Sequence, residues 1–155
     1  MFKIFNFHKK ISNKVEKLPY PKTKGERKFH HVSFKYAFNG VKWAFKTQPN
    51  FQIHTYAFTL LGITILFFSF FSLIEYYEIV VLMLVSALVF AMEMVNTAIE
   101  SLSDEVADEK YKERIRVAKD TSSGAVLISA AFAVLIGIII FLPKLILLST
   151  LFIFR

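Results

Sequence analysis

Residues 80–105 read VVLMLVSALVFAMEMVNTAIESLSDE, an apolar run into which Glu93, Asn96 and Glu100 are set before the segment turns polar. A carboxylate at membrane depth is costly unless it is neutralised or paired, so its presence there marks a functional site. Separations of three, four and seven residues put Glu93, Asn96, Thr97, Glu100 and Asp104 on one side of a helix. Hard oxygen ligands of this kind suit Mg²⁺ held jointly with phosphate, whereas Zn²⁺ asks for Cys or clustered His. The chain has no Cys, and His8, His30, His31 and His54 are scattered. A plainer arrangement is also open, in which Glu93 hydrogen-bonds across a helix interface while Glu100 and Asp104 lie among lipid headgroups.

A second pair stands on the far side of the polar connection. Lys119 and Asp120 come just before the last long apolar stretch. Lysine can neutralise a transferring phosphoryl group, and aspartate can orient that lysine or a water on the metal. Taken alone, such a pair is an ordinary ion-paired helix end; facing the same boundary as the carboxylate cluster, it points to phosphoryl transfer onto a lipid headgroup. Neither a Walker loop nor a protein-kinase glycine loop is present, so any nucleotide is gripped by another scheme. Glu93 lies two helical turns deeper than Glu100 and can meet a hydroxyl arriving from the bilayer, which allows base and metal ligand to be separate carboxylates.

The elements that must carry these residues follow from hydropathy. Residues 54–74, 79–99 and 123–142 are each long enough to cross a bilayer. This predicts an all-α integral membrane protein with three transmembrane helices, the first two joined by a tight hairpin at Glu75-Tyr-Tyr-Glu78. The 155 residues carry a net charge of +7, and twelve of the 19 Lys and Arg precede residue 47. That bias places the N-terminus in the cytoplasm of a multi-pass inner-membrane protein, the 101–119 connection inside and the C-terminus outside. Residues 29–46 bring Phe34, Ala37, Phe38, Val41 and Phe45 onto one face flanked by Lys35, Lys42 and Lys46, as in an amphipathic helix at the cytoplasmic interface. Pro49 disfavours helical backbone at Gln48, so the chain turns there into the first span.

Residues 1–28 form a basic leader attracted to anionic lipid, too long and polar before its apolar segment for a cleavable signal peptide. No recognition module accompanies the charge, so no nucleic-acid partner is expected. The apolar residues after Pro143-Lys144, with 146–155 as a tail, are too few to cross again; they either lengthen the third helix past the proline or lie along the outer interface. Small residues on that helix, among them Ser122, Gly124, Ser129 and Gly137, permit close helix contact.

The segments FKYAFNGVKWAFKTQPNF (34–51), EMVNTAIE (93–100), AKDTSSGAVL (118–127) and the closing IIIFLPKL resemble the prokaryotic diacylglycerol kinase family, which includes the undecaprenol kinases of Gram-positive bacteria. The likeness extends over residues 29–145, leaving leader and tail outside. It implies a homotrimer, each protomer having a surface helix and three spans, with sites near the cytoplasmic interface between protomers. It further implies Glu93 as the general base toward a lipid hydroxyl, Asn96 as a holder of the reacting groups, and Glu100 as a ligand to the Mg²⁺ of MgATP. Lys119 and Asp120 would contact the nucleotide phosphates.

One departure bears on the metal: where the family commonly reads KTEPNF, this chain has KTQPNF. Gln48 keeps an oxygen ligand and loses a charge, so either Gln48 ligates more weakly than glutamate or Asp104 completes the shell and Gln48 caps the turn. Undecaprenol and diacylglycerol both present a primary hydroxyl on a long apolar body, and the KTxPNF form with FLPKL looks more like the Gram-positive branch. The other class of function is a non-enzymatic lipid-binding or assembly subunit with an ion-binding carboxylate cluster.

Overall fold

The computed structural model describes residues 33–107 and 113–153, which form four helices: α1 (Ser33–Thr47), α2 (Pro49–Phe70), α3 (Tyr76–Ala107) and α4 (Glu113–Ile153). The expected basic leader, with His8, and the start of the expected amphipathic segment, with His30 and His31, lie outside the described residues. The chain divides into two compact units, residues 1–49 and 50–155.

In the first unit, α1 covers residues 33–47, the described part of the segment expected as an amphipathic helix. Its end is built by local bonds. Thr47 Oγ1 donates to the Trp43 carbonyl at 2.8 Å, and the Gln48 N–H donates to the Ala44 carbonyl at 2.8 Å. Gln48 itself leaves the helix, as the following proline requires. Pro49 then opens α2, where its missing N–H is one that a first helical turn would leave without an intrahelical partner.

The second unit contains three helices long and apolar enough to cross a membrane, α2, α3 and α4. Most of their large apolar side chains point outward, including Leu60, Leu66, Leu84, Leu127 and Ile139, as a lipid-facing surface demands. The first of these helices stops at Phe70, short of the expected Ile74. Ser72 takes a left-handed backbone (φ 54°), its N–H bonds to Ser69 O at 3.0 Å, and the Leu73 N–H bonds to Phe68 O at 2.9 Å. These two bonds form a Schellman motif that satisfies the last carbonyls of α2. Tyr76, Tyr77 and Glu78 belong to the first turn of α3 and not to the hairpin turn expected there. Glu78 caps the start of α3, its Oε2 accepting from the Glu75 N–H at 2.8 Å.

Helices α3 and α4 pack antiparallel. Leu82, Val89, Glu93, Asn96 and Ser103 recur on the buried side of α3, and Ser122, Val126 and Ser129 on that of α4. Polar ties mark both ends of the pair. Lys144 Nζ meets Glu78 Oε1 at 2.9 Å at one end, and Ser122 Oγ donates to Asn96 Oδ1 at 2.7 Å near the other. From Glu78 to Asn96, α3 runs about 27 Å, close to the thickness of a hydrocarbon core. Ring contacts attach α2: Phe51 and Phe58 lie 5.2 and 5.7 Å from Phe90 of α3, and Phe68 lies 5.2 Å from Phe141 of α4.

α4 runs unbroken through Pro143 to Ile153, so the apolar residues after the proline lengthen the helix. A Cβ built on Gly124 or Gly137 would meet nothing within 4 Å. Among the small residues of α4, Ser122 touches α3 directly, through its bond to Asn96.

Candidate active site

The apolar stripe of α3 turns polar at Glu93 without leaving its buried face. One turn after Val89, the helical period brings Glu93 inward, then Asn96 and Thr97; these three are 2%, 2% and 5% exposed. Glu100, the next on this face, is half-buried, and Asp104 is exposed. The face therefore grades from a buried carboxylate to an open one over about 16 Å of helix.

Hydrogen bonds organise its middle. Asn96 Nδ2 donates to Glu100 Oε1 at 3.1 Å, and Asn96 Oδ1 accepts from Ser122 Oγ across the helix interface. Opposite partners on the two ends of one amide fix which way it faces. Ser122 also lies 3.0 Å from the Lys119 carbonyl, and Ser123 Oγ donates to that same oxygen at 2.6 Å. Lys119 Nζ reaches back over the connection to Asp104 Oδ1 at 2.5 Å. The Asn96–Glu100 pair and the Lys119–Asp104 pair thus both lie where α3 and α4 emerge from their apolar stretches.

Two atoms in this buried set have no partner: Glu93 Oε2 and Thr97 Oγ1. A buried carboxylate oxygen without a donor costs free energy unless a ligand supplies one.

Among the described residues no group of three or more His, Asp or Glu could hold a metal ion, so a cage made of protein alone does not exist there. Glu100 at the open end of the face fits the other way Mg²⁺ is held, by one or two carboxylates shared with substrate phosphates.

The sequence profile of the prokaryotic diacylglycerol kinases matches residues 35–141, and so takes in most of α1, all of α2 and α3, and most of α4. The chain belongs to the prokaryotic diacylglycerol kinase family. A diacylglycerol kinase of Synechocystis sp. is 41% identical over 114 residues, covering 74% of this chain and 63% of that protein. An undecaprenol kinase of Bacillus subtilis is 34% identical over 113 residues, covering 73% of this chain and 88% of that protein. The matched region of this family member contains every described residue of the buried polar face.

Of the residues singled out in the sequence, the structure brings Glu93, Asn96 and Glu100 onto one face of α3 and adds the Lys119–Asp104 pair. Asp120 is exposed, and the partner of Lys119 is Asp104, not its neighbour in sequence. Gln48 is half-buried at the end of the first unit. Ser122 was legible only as a small residue suited to helix contact. Its bond to Asn96 depends on the register of α4 against α3, which no local pattern states.

Proposed function

We propose that this protein is an ATP-dependent lipid kinase that transfers the γ-phosphoryl group of ATP to the hydroxyl of a membrane lipid. The observation that carries the proposal is the buried, unpartnered Glu93 Oε2, inside a membrane-length helix and one turn from the bonded Asn96–Glu100 pair. The lipid oxygen attacks the γ-phosphorus, its proton passes to the Glu93 carboxylate, and the bond to the leaving ADP oxygen breaks. Asn96 holds the reacting groups, with its orientation set by Ser122 and Glu100. Lys119 supplies positive charge to the phosphates, shared at rest with Asp104, and Asp120 stands beside it at the same boundary.

Glu100 would hold Mg²⁺ together with the nucleotide, and Gln48 would offer a neutral oxygen ligand. When bound, the metal neutralises phosphate charge and orients the phosphoryl group. Asp104, committed to Lys119, is the weaker candidate for the metal shell.

The apolar body of the acceptor has space available. A cavity of about 520 Å³ opens between α2, α3 and α4, walled by Phe58, Leu82, Val89, Phe90, Val134 and Phe141. Undecaprenol and diacylglycerol, which the names of the two relatives point to, both satisfy this chemistry. The KTxPNF and FLPKL forms favour undecaprenol. We further propose a homotrimer with a cytoplasmic N-terminus, with α1 lying on the cytoplasmic surface of the membrane and the basic leader drawn to anionic lipid.

Incubating the purified protein with labelled ATP, Mg²⁺ and both lipids side by side tests the reading. Transfer to undecaprenol in preference to diacylglycerol is expected. Exclusive transfer to diacylglycerol reverses the substrate assignment, and transfer to neither makes a lipid-binding or assembly role the leading account.

A further inference from the structure

The Thr97 hydroxyl is out of keeping with its counterparts. Thr55, Thr59, Thr64 and Ser86 each donate to the carbonyl four residues back, at 2.7 to 2.9 Å. This back-bond is the ordinary resource of a hydroxyl on an apolar helix. Those four side chains are exposed or part-buried. Thr97 is 5% exposed and needs the bond more, yet its Oγ1 has no partner. The orphan carboxylate oxygen, Glu93 Oε2, stands one helical turn away on the same face. Two unsatisfied polar atoms on adjacent turns of a buried face ask for one polar atom that can donate to the carboxylate and accept from the hydroxyl. A primary alcohol does both.

Resting on the lipid kinase reading, we infer that Thr97 is a catalytic residue whose hydroxyl donates to the acceptor oxygen of the lipid while that oxygen donates its proton to Glu93. The alcohol oxygen then has one lone pair held by Thr97, its hydrogen directed at Glu93 Oε2, and its second lone pair free for the γ-phosphorus. As the proton leaves, negative charge develops on that oxygen, and the Thr97 bond strengthens with it. The contact acts on the acceptor side of the reaction and leaves the nucleotide side to Lys119 and Glu100.

The full-length protein is assayed in lipid vesicles with undecaprenol and diacylglycerol, as wild type, Thr97→Val, Thr97→Ala and Thr97→Ser. Thr97→Val keeps the shape and removes the hydroxyl. It is expected to lower kcat/KM for the lipid by about tenfold or more while the KM for MgATP moves less than about twofold. Its thermal midpoint is expected to be no lower than that of wild type, because a buried unsatisfied hydroxyl has been removed. Thr97→Ser should recover most of the acceptor efficiency. If Thr97→Val folds poorly, Thr97→Ala carries the same comparison.

Wild-type transfer with no loss in the Val and Ala variants overturns the role of Thr97 and leaves the kinase reading standing. Equal losses toward lipid and MgATP, or failure of Thr97→Ser to recover, assign the residue to packing and overturn it as well. No transfer by wild type to either lipid overturns the kinase reading and this inference together.

Discussion

Ser122 Oγ of α4 donates to Asn96 Oδ1 of α3 at 2.7 Å, and by occupying that oxygen it turns the amide nitrogen toward Glu100. The two residues lie 26 positions apart, and both are buried. Ser122→Ala would leave the Asn96 oxygen buried without a donor, at a cost of about 1 to 2 kcal/mol in stability. Transfer is expected to fall about fivefold to tenfold, less than in Asn96→Ala. In a double-mutant cycle the two losses should not add, since both act through one hydrogen bond. Initial rates and unfolding midpoints of the two single variants and the double variant measure this coupling.

The Lys119–Asp104 pair predicts a different split. The carboxylate is largely exposed, so Asp104→Asn should change stability by no more than about 1 kcal/mol. Because Asp104 is engaged by Lys119, the apparent Mg²⁺ affinity of Asp104→Asn should equal that of wild type. Lys119→Met removes charge from the phosphates and should raise the KM for MgATP by about tenfold or more, with the KM for lipid unchanged. Titrations of each variant with Mg²⁺, MgATP and lipid separate the three effects.

At the opposite end of the helix pair, Lys144 and Glu78 form a largely buried ion pair that also caps α3. Lys144→Met leaves a desolvated carboxylate and should destabilise the protein by about 3 kcal/mol. Activity per folded molecule should be unchanged, because the pair lies about 22 Å along α3 from Glu93. Adding Glu78→Met to Lys144→Met should recover part of the loss by removing the uncompensated charge. Unfolding midpoints in a fixed detergent, with specific activity measured on the same samples, check both halves.

Much of this arrangement was legible in the residues, and the exceptions have physical causes. Long apolar runs announced α2, α3 and α4, and the three- and four-residue spacing of EMVNTAIE announced the shared face of Glu93, Asn96 and Glu100. The stop of α2 at Phe70 was hidden because its left-handed residue is Ser72, where glycine would have signalled the turn; holding a serine there costs roughly 1 kcal/mol. The Lys119–Asp104 and Ser122–Asn96 contacts depend on how α4 returns along α3. That register is set by packing across the interface, which periodicity within one helix does not encode. Thr97 was visible as a member of the face, but its missing back-bond is a matter of side-chain geometry.

Gln48 offers a test of the metal shell that is separate from the helices of the second unit. Gln48→Glu adds a negative charge to this candidate ligand and should raise turnover at low Mg²⁺. Gln48→Ala removes the side-chain oxygen and should weaken the apparent Mg²⁺ affinity by several-fold, about 1 kcal/mol. Unchanged affinity in both variants would remove Gln48 from the metal shell and leave it as the residue that closes α1.

The central claim is that Glu93 takes the proton from a lipid hydroxyl. The most direct measurement is label transfer from γ-labelled ATP to lipid by wild type and Glu93→Gln, under saturating MgATP in vesicles of the same composition. Wild type should label the lipid, and Glu93→Gln should do so at about a hundredth of that rate or less, with its lipid association intact. Equal labelling by the two proteins, or none by wild type with either acceptor, would contradict the account.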